Sequence, residues 1–325
     1  MGALIPGVPA ARQLVNAIVN SRALVRQRYD AGIATSLTTA RQIGDVDGVA
    51  LWASGGAVSA GTLSNGSIGV HAAASAAAVT LTGAGKLSWA TRIEARDAVM
   101  YANEACSFQV LVEHDCTEDI GYTVTVRKAN AADDFSAMTT IDTQAAVAVS
   151  PATETRLIFN NVDMGDCSSG IEIQVEANCG VVVAKSFYFT NCALTIGSVA
   201  PDFFGGEYVT DITNCARYLR SFRATTSIPL TGWVGSTASY FVLEHFGMRA
   251  APTLITDDYF TVFNIFQVGG REAATLSLYD GLNNRSTIKA TSAFGIIMNT
   301  GANILLESDG TQNAVAFFLL SAELF

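Results

Sequence analysis

Apolar and polar side chains alternate with a period of two across residues 86–199, and this period constrains the fold more than any other feature. Clear examples are Tyr122–Arg127 and Gly170–Glu176. The period places successive side chains on opposite faces of a strand, so that one face enters a core. Short segments separated by Gly, Asn and Asp are typical of antiparallel sandwiches. The sequence therefore predicts a β-sandwich here, with a loop at residues 128–135.

A second strand-rich block covers residues 223–325. Turn signals at Gly232–Gly235, Gly269–Gly270 and Asp280–Arg285 separate segments rich in β-branched and aromatic residues. This block is predicted to form a second antiparallel β-sandwich. Residues 34–85 are rich in Ala, Gly, Ser and Thr, a composition that fits either a flexible linker or the strands of a tightly packed sheet.

A short helix is predicted between the two blocks, over residues 209–222. Ile212, Cys215, Leu219 and Phe222 follow a spacing of three and four, which places them on one helical face. A face this apolar is expected to be buried. We therefore predict that the helix couples the two β-domains.

The N-terminal segment is predicted to contain a second helix, from Ala10 to Tyr29. It carries four basic side chains with no acid until Asp30: Arg12, Arg22, Arg26 and Arg28. Such a helix suits attachment to an acidic neighbour in a particle, and it equally suits a solvated arm. A membrane-surface helix is a weaker third alternative.

Composition limits the partners that this chain can have. Charged residues make up 15% of the chain and the net charge is −10, which argues against nucleic acid because phosphate binding needs clustered Lys and Arg. Few charges and many small residues favour a homo-oligomer. The longest apolar runs are too short to cross a bilayer, so no membrane insertion is expected. The six cysteines show no metal or redox spacing; they fit buried small side chains, or alternatively a disulfide.

Catalytic chemistry has no clear signature in the sequence. The three histidines, His71, His114 and His245, are far apart and lie in no recognised motif. The glycine-rich turns lack the Lys of a phosphate loop. Scattered carboxylates fit strand ends and loops, with a glycosidase pair as the less favoured alternative. We therefore predict no catalytic residues, no metal site and no cofactor.

Three motifs in a fixed order carry a resemblance to a known family. They are Pro201–Phe204, then Asp211–Tyr218 with its Cys-x-Arg-Tyr pattern, then Met248–Thr253. Residues 314–324, Ala-Val-Ala-Phe-Phe-Leu-Leu-Ser-Ala-Glu-Leu, are similar to the Ala-x-Ala-Glu-Leu ending of the same proteins. These motifs resemble bacteriophage tail-fibre and virion spike proteins with a carbohydrate-binding-like jelly roll, followed by a helix and a C-terminal β-domain. Asp211 and Ala216 stand where that pattern has Glu and Gln.

The resemblance implies an organisation and a role. Residues 1–41 would be an attachment segment that contacts other virion proteins, 42–200 the jelly roll, 201–222 the linker helix and 223–325 the C-terminal β-sandwich. The protein would lie on the virion surface as a trimer, or alternatively a pentamer, and bind host surface polysaccharide without cutting it. A purely structural connector or decoration protein is the alternative, and a capsule-degrading enzyme a further one.

Sugar binding requires aromatic faces and hydrogen-bonding side chains near loops. Core packing and loop solvation compete with this role for every candidate. The glycan-binding candidates near predicted loops or strand ends are Trp89, Tyr101, Asp133, Asp134, Phe135, Trp233 and Tyr240.

Overall fold

The chain forms two compact units in a computed structural model. The structure describes residues 16–26, 35–44, 46–205 and 208–216, and beyond them the backbone of the strands between residues 219 and 321. The first unit comprises Met1–Leu24, Ser36–Gln42 and Val49–Glu207, and the second Val25–Thr35, Ile43–Gly48 and Tyr208–Phe325.

Two sheets build the first unit, and the pairings between their long strands are antiparallel. Sheet A has the order β1 (Thr35–Ser36), β4 (Val58–Ile68), β5 (His71–Leu81), β13 (Val182–Ile196), β7 (Ala105–His114) and β11 (Thr155–Asp163). Sheet B has the order β10 (Val147–Val149), β8 (Ile120–Ala131), β12 (Ile171–Asn178), β6 (Lys86–Ile93), β3 (Val49–Ser54) and β2 (Gln42–Ile43), and β9 (Asp134–Thr143) also pairs with β8.

Aromatic side chains fill the core between the two sheets. Trp89 of sheet B stacks on Phe189 of sheet A with ring centroids 6.1 Å apart, and Tyr122 of sheet B stacks on His114 of sheet A at 6.0 Å. The inner residues of β12 are Ile171, Ile173 and Val175, all fully buried. The alternation in the sequence thus supplies the inner face, as expected from a strand with one face in a core.

The small-residue segment before residue 85 forms strands. β4 and β5 make a long hairpin whose two-residue turn is Gly69 and Val70. The loop predicted at residues 128–135 is a tight turn, because β8 continues to Ala131 and β9 begins at Asp134. Asp133 takes φ +56° in that turn, a conformation that Asp tolerates better than most residues.

The helix predicted from Ala10 to Tyr29 is wrong over the residues that the structure describes. Residues 16–26 form a turn instead, with φ +55° at both Asn20 and Ala23, which no α-helix allows. The segment bonds to β13: Cys192 N–H donates to Ser21 O at 3.0 Å. Hydrogen bonds to an irregular strand therefore replace helical ones, and the segment as far as Leu24 belongs to the first unit.

The linker helix is shorter than predicted. Helix α2 spans Tyr208–Cys215, while Leu219 and Phe222 lie on β14 (Leu219–Ala224), which pairs with β22 (Ala316–Ser321). Ile212 is 38% exposed and Asp211 is buried. The predicted coupling face of Ile212, Cys215, Leu219 and Phe222 therefore does not exist as one helical face. Strand pairing across some hundred residues overrides the local helical period, which propensity alone does not foresee.

The second unit is antiparallel β structure as well, and it closes on itself. Its barrel has the order β15 (Ile228–Val234), β16 (Ala238–Glu244), β20 (Arg285–Ser292), β19 (Arg271–Gly281), β18 (Phe260–Asn264) and β21 (Asn303–Ser308). A three-stranded sheet adds β14, β22 and β17 (Thr253–Thr256). The prediction of an all-β chain with two antiparallel domains is confirmed, and closure gives the second one barrel geometry.

Helices contribute little to the part of the chain that the structure describes. Apart from α2 there is α1 (Ala95–Ala98), which continues into a 3₁₀ turn at Val99–Tyr101. Of the helices in the described ranges, none has the length and apolar character needed to cross a membrane.

Candidate functional site

Two of the predicted sugar-binding aromatics lie in the core. Trp89 is buried against Phe189. The Tyr101 hydroxyl donates to Leu194 O at 3.2 Å and accepts from Ala17 N–H at 3.1 Å, and burial raises the pKa of Tyr101 to about 12. The structure therefore corrects the prediction for both residues, because neither ring faces solvent.

Three further candidates cluster at the turn between β8 and β9. Asp133 Oδ1 accepts from Ala95 N–H at 2.7 Å, at the start of α1. Asp134 is exposed, and hydrogen bonds from the hydroxyl and N–H of Ser136 lower its pKa. Phe135 is buried beneath the Arg92 guanidinium, 4.5 Å from its ring centroid. Local hydrogen bonding and packing account for Asp133 and Phe135.

The remaining candidates lie largely outside the described side chains. Trp233 and Tyr240 are register partners on β15 and β16, and their role stays a prediction. Of the four attachment arginines, Arg12 and Arg28 lie outside the described residues and Arg26 is half-buried. Arg22 is exposed, and it lines the pocket described next.

A pocket of about 310 Å³ opens at one end of the outer face of sheet A. Its lining combines a cation, an imidazole, an amide and an aromatic ring with apolar side chains. The residues concerned are Arg22, Leu24, Val70, His71, Asn191 and Phe203. None of these belongs to the sugar-binding set predicted from sequence.

A bulge in β13 places Asn191 at the pocket. The pairing of β13 with β7 shifts register between Thr190 and Ala193, and Asn191 takes φ +49°. Bulges of this kind redirect one side chain and leave backbone groups without a ladder partner. The N-terminal turn satisfies one of them through the bond between Cys192 N–H and Ser21 O, and Asn16 Nδ2 donates to Cys192 O at 3.0 Å.

The Pro201–Gly205 segment forms another wall and presents Phe203. Gln109 Nε2 donates to Pro201 O at 3.1 Å, and Arg156 donates to the same oxygen. Both side chains come from neighbouring strands of sheet A, so they hold the segment on the outer face. Phe203 is consequently supplied by the Pro-Asp-Phe-Phe motif itself.

Gly205 sets the position of Arg22. A Cβ at residue 205 would lie 2.2 Å from Arg22 Nε and 2.7 Å from its Cγ, so any larger residue would displace the arginine side chain. The only acceptor that the described residues offer Arg22 is Gly205 O, at a long 3.5 Å from Nη2. The guanidinium thus keeps most of its five donors for the pocket.

Tyr188 extends the outer face of sheet A beyond the pocket. It precedes Asn191 by three residues on β13, roughly 10 Å along a strand. Its ring lies against Gly66, where a Cβ would be 2.6 Å from Cε1, and it packs on a buried cluster of Ile68, Ala73 and Leu111. A half-buried aromatic ring therefore lies beside the pocket on the same face.

The groups in this pocket are of the kind that bind a sugar. An aromatic ring can stack on a sugar, and amide, imidazole and guanidinium groups can bond its oxygens. Among the described lining residues there is no nucleophile beside an oriented base, the arrangement that covalent catalysis needs. Within the described ranges, no group of three His, Cys, Asp or Glu side chains is placed to hold a metal ion.

A second polar cluster lies on the outer face of sheet B and bonds within itself. Glu172 is completely buried, and Arg41, Arg92 and Arg127 all donate to its carboxylate. Burial alone would raise the pKa of Glu172, but hydrogen bonds and charges from Arg41 and Arg92 lower it overall. Arg41 also lies 4.3 Å above the Trp52 ring. We assign this cluster to stability, because its carboxylate is saturated by donors from the chain.

Comparisons with known proteins give only weak structural likenesses. No protein-family profile and no curated protein sequence matches the chain. The tandem CBM22-1–CBM22-2 domain of Paenibacillus barcinonensis Xyn10C is 12% identical, with 97% of this chain and 100% of that one covered at a TM-score of 0.34. A putative sugar-binding protein from Bacteroides thetaiotaomicron is 9% identical over 56% of this chain and 100% of its own, also at 0.34. At TM-scores this low, the likeness supports no inference about this chain.

Proposed function

We propose that this chain is a virion surface protein of a bacteriophage that binds host surface glycan without cutting it. The pocket on sheet A is the observation that carries the binding role. It joins an aromatic ring, Phe203, to hydrogen-bonding side chains at Asn191, His71 and Arg22, the combination by which proteins recognise sugars. The virion role is supported by the order of the sequence motifs.

One motif links the two halves of this proposal. The Pro201–Phe204 segment belongs to the series that resembles phage fibre and spike proteins, and its Phe203 lines the pocket. The segment is anchored by Gln109 and Arg156 on sheet A. An anchored aromatic at the pocket wall is a preorganised contact, which lowers the entropic cost of binding.

A glycan array of bacterial surface polysaccharides tests the binding role. We expect the protein to bind specific glycans on the array. Phe203→Ala should lower its affinity for those glycans about tenfold, since an aromatic contact contributes about 0.5–1.5 kcal/mol beyond its buried area. Tyr208→Ala is the matched control, because Tyr208 is 52% exposed on α2. Thermal unfolding of both variants separates lost contact from lost fold.

The other outcomes of the array identify the competing functions. Failure to retain any glycan would favour the purely structural connector or decoration protein. Release of reducing sugar from a retained polysaccharide would favour the capsule-degrading enzyme. The proposal also includes a trimer, with a pentamer as the alternative, and light scattering measures this oligomeric state. It further includes contact between the N-terminal segment and other virion proteins. Labelling of the protein on particles tests that contact and shows where the protein lies on the virion.

A further inference from the structure

We propose that the sugar held in this pocket carries an anionic group, a carboxylate or a phosphate, and that Arg22 binds it. This inference rests on the proposed glycan-binding function and adds the chemical class of the glycan. Three properties of the pocket lead to it: the placement of Arg22, the lack of carboxylates among the lining residues that the structure describes, and the character of the remaining walls.

Arg22 lies at the pocket wall on a backbone that sheet A holds. The neighbouring Ser21 accepts from Cys192 N–H of β13, and the exposed Arg22 side chain lies against Gly205, where a Cβ would be 2.2 Å from its Nε. Guanidinium is a planar fork that matches carboxylate and phosphate oxygens with two parallel hydrogen bonds. Its single long bond to Gly205 O leaves that fork available.

Among the described residues that line the pocket, none is a carboxylate that could neutralise Arg22. Its other polar members are the His71 imidazole and the Asn191 amide, both of which donate hydrogen bonds to anionic oxygens. This stands out in a chain whose net charge is −10. A pocket for neutral sugars gains from carboxylates, because carboxylates accept from hydroxyl groups. Here the one charged group among the described lining residues is a donor, Arg22.

Two carboxylates lie close to the pocket without lining it. Glu154 Oε2 would be 3.4 Å from a Cβ at Gly69, in the hairpin turn beside Val70, and Asp202 is exposed next to Phe203. Both would repel an anion, and solvent screens exposed charges. Removing the Glu154 charge is therefore expected to strengthen the binding that Arg22 provides.

The remaining walls favour an anionic sugar over a free inorganic anion. Phe203, Val70 and Leu24 add apolar surface around the charged group. Val70 is 94% exposed at the hairpin tip, where it can cover the apolar face of a ring. A free phosphate would leave these surfaces in water, whereas a uronic acid or a phosphorylated sugar would bury them.

The test compares each polysaccharide with its own uncharged form. Native bacterial polysaccharides are arrayed beside carboxyl-reduced samples, in which uronic acids have become neutral sugars, and beside dephosphorylated samples. We expect retained glycans to lose about tenfold or more in affinity after one of the two treatments. Loss on carboxyl reduction identifies the carboxylate as the source, and loss on dephosphorylation the phosphate.

Variants connect that preference to the pocket. Arg22→Gln should bind native and neutralised glycans equally, and Gly205→Val, which displaces Arg22, should do the same while unfolding at a similar temperature. Glu154→Gln should bind the native form more tightly. Arg96→Gln is the matched control, because Arg96 is an exposed arginine on α1, and it should leave the preference unchanged.

The failures of the two proposals are distinguishable. Retained glycans that bind equally well after both treatments would overturn the anionic ligand and leave glycan binding standing. A preference for charged glycans that survives in Arg22→Gln would also overturn it. An array with no retained glycan at all would overturn the glycan-binding function, and this inference with it.

Discussion

Replacing Glu172 by Gln removes one buried charge from the centre of sheet B and changes little else. The Glu172 side chain is 0% exposed and receives hydrogen bonds from Arg41, Arg92 and Arg127. Gln has nearly the same shape, so packing is retained. After the change, three guanidinium groups surround a neutral amide, and Arg92, the most buried of them at 6% side-chain exposure, loses its ion pair with residue 172.

The expected loss of stability is about 3 kcal/mol. Breaking a buried ion pair by removing one partner costs about 3–5 kcal/mol. We expect the lower end because Arg41 and Arg127 are about a quarter exposed and water can reach them. For a domain of this size, roughly 2–4 °C of melting temperature corresponds to each kcal/mol, so Glu172→Gln should melt roughly 6–12 °C below wild type.

Glu176→Gln is the matched control for this prediction. Glu176 lies on the same strand and the same face, but its partner Lys86 is 41% exposed. Exposed pairs contribute about 0–1 kcal/mol, so this variant should melt close to wild type. Calorimetry gives the melting temperatures, and near-ultraviolet circular dichroism follows the buried Trp89 in the first unit.

The pH dependence of the difference provides a second readout. Folding lowers the pKa of Glu172 below its ordinary value of 4.5, so its charge stabilises the fold above that pH. This contribution is lost as the pH falls through the lower folded-state pKa. The difference in melting temperature between wild type and Glu172→Gln should therefore be constant near neutral pH and become smaller below pH 4.5. If Glu172→Gln melts like Glu176→Gln at every pH, the network contributes nothing and the reasoning is refuted.

Three further predictions follow from the described contacts. Burial raises the pKa of Cys106 to about 12 and those of Cys116, Cys167 and Cys179 to about 11, so these four thiols should resist iodoacetamide at pH 8 and react only in denaturant; rapid alkylation of the native protein would contradict this. Deleting residues 1–26 should lower the melting temperature of the first unit, because Ile18 and Ser21 are buried there; an unchanged melting temperature would show that the turn is dispensable. Tyr188→Ala should weaken the binding of long glycans more than that of short ones, as measured by calorimetric titration, whereas equal effects would exclude Tyr188 from the ligand path.

The regular part of the fold follows from the sequence, because period-two alternation is a local signal. Ile171, Ile173 and Val175 are readable as an inner face, and their neighbours Glu172, Gln174 and Glu176 as an outer one. The same alternation also places polar residues at Arg92 and Glu172, two members of the ion-pair cluster around Glu172, and their strands pair directly. Which strands pair is a non-local property, and so the cluster could not be assembled from the sequence alone.

Long-range pairing also explains why the N-terminal helix was wrong and why the linker helix ends earlier than predicted. Residues 16–26 have apolar spacing that suits a helix, yet their backbone bonds to β13, more than 160 residues away. Leu219 and Phe222 continue the helical spacing of Ile212 and Cys215, yet they pair with β22 near the end of the chain. In both segments the periodicity describes only which residues are apolar. Hydrogen bonds to distant strands determine the backbone conformation.

The pocket on sheet A was not predicted from the sequence for a different reason. The same reason shows how the pocket depends on the rest of the first unit. A regular sheet presents a flat surface, and this pocket exists where β13 departs from regularity at Asn191. That departure leaves backbone groups at Cys192 that need partners, and the N-terminal turn provides them through Ser21 and Asn16. The same turn carries Arg22 to the pocket wall. The bulge, the turn and the arginine depend on one another. In the function that we propose, the basic N-terminal segment therefore contributes to ligand recognition through Arg22, and its other residues provide virion attachment.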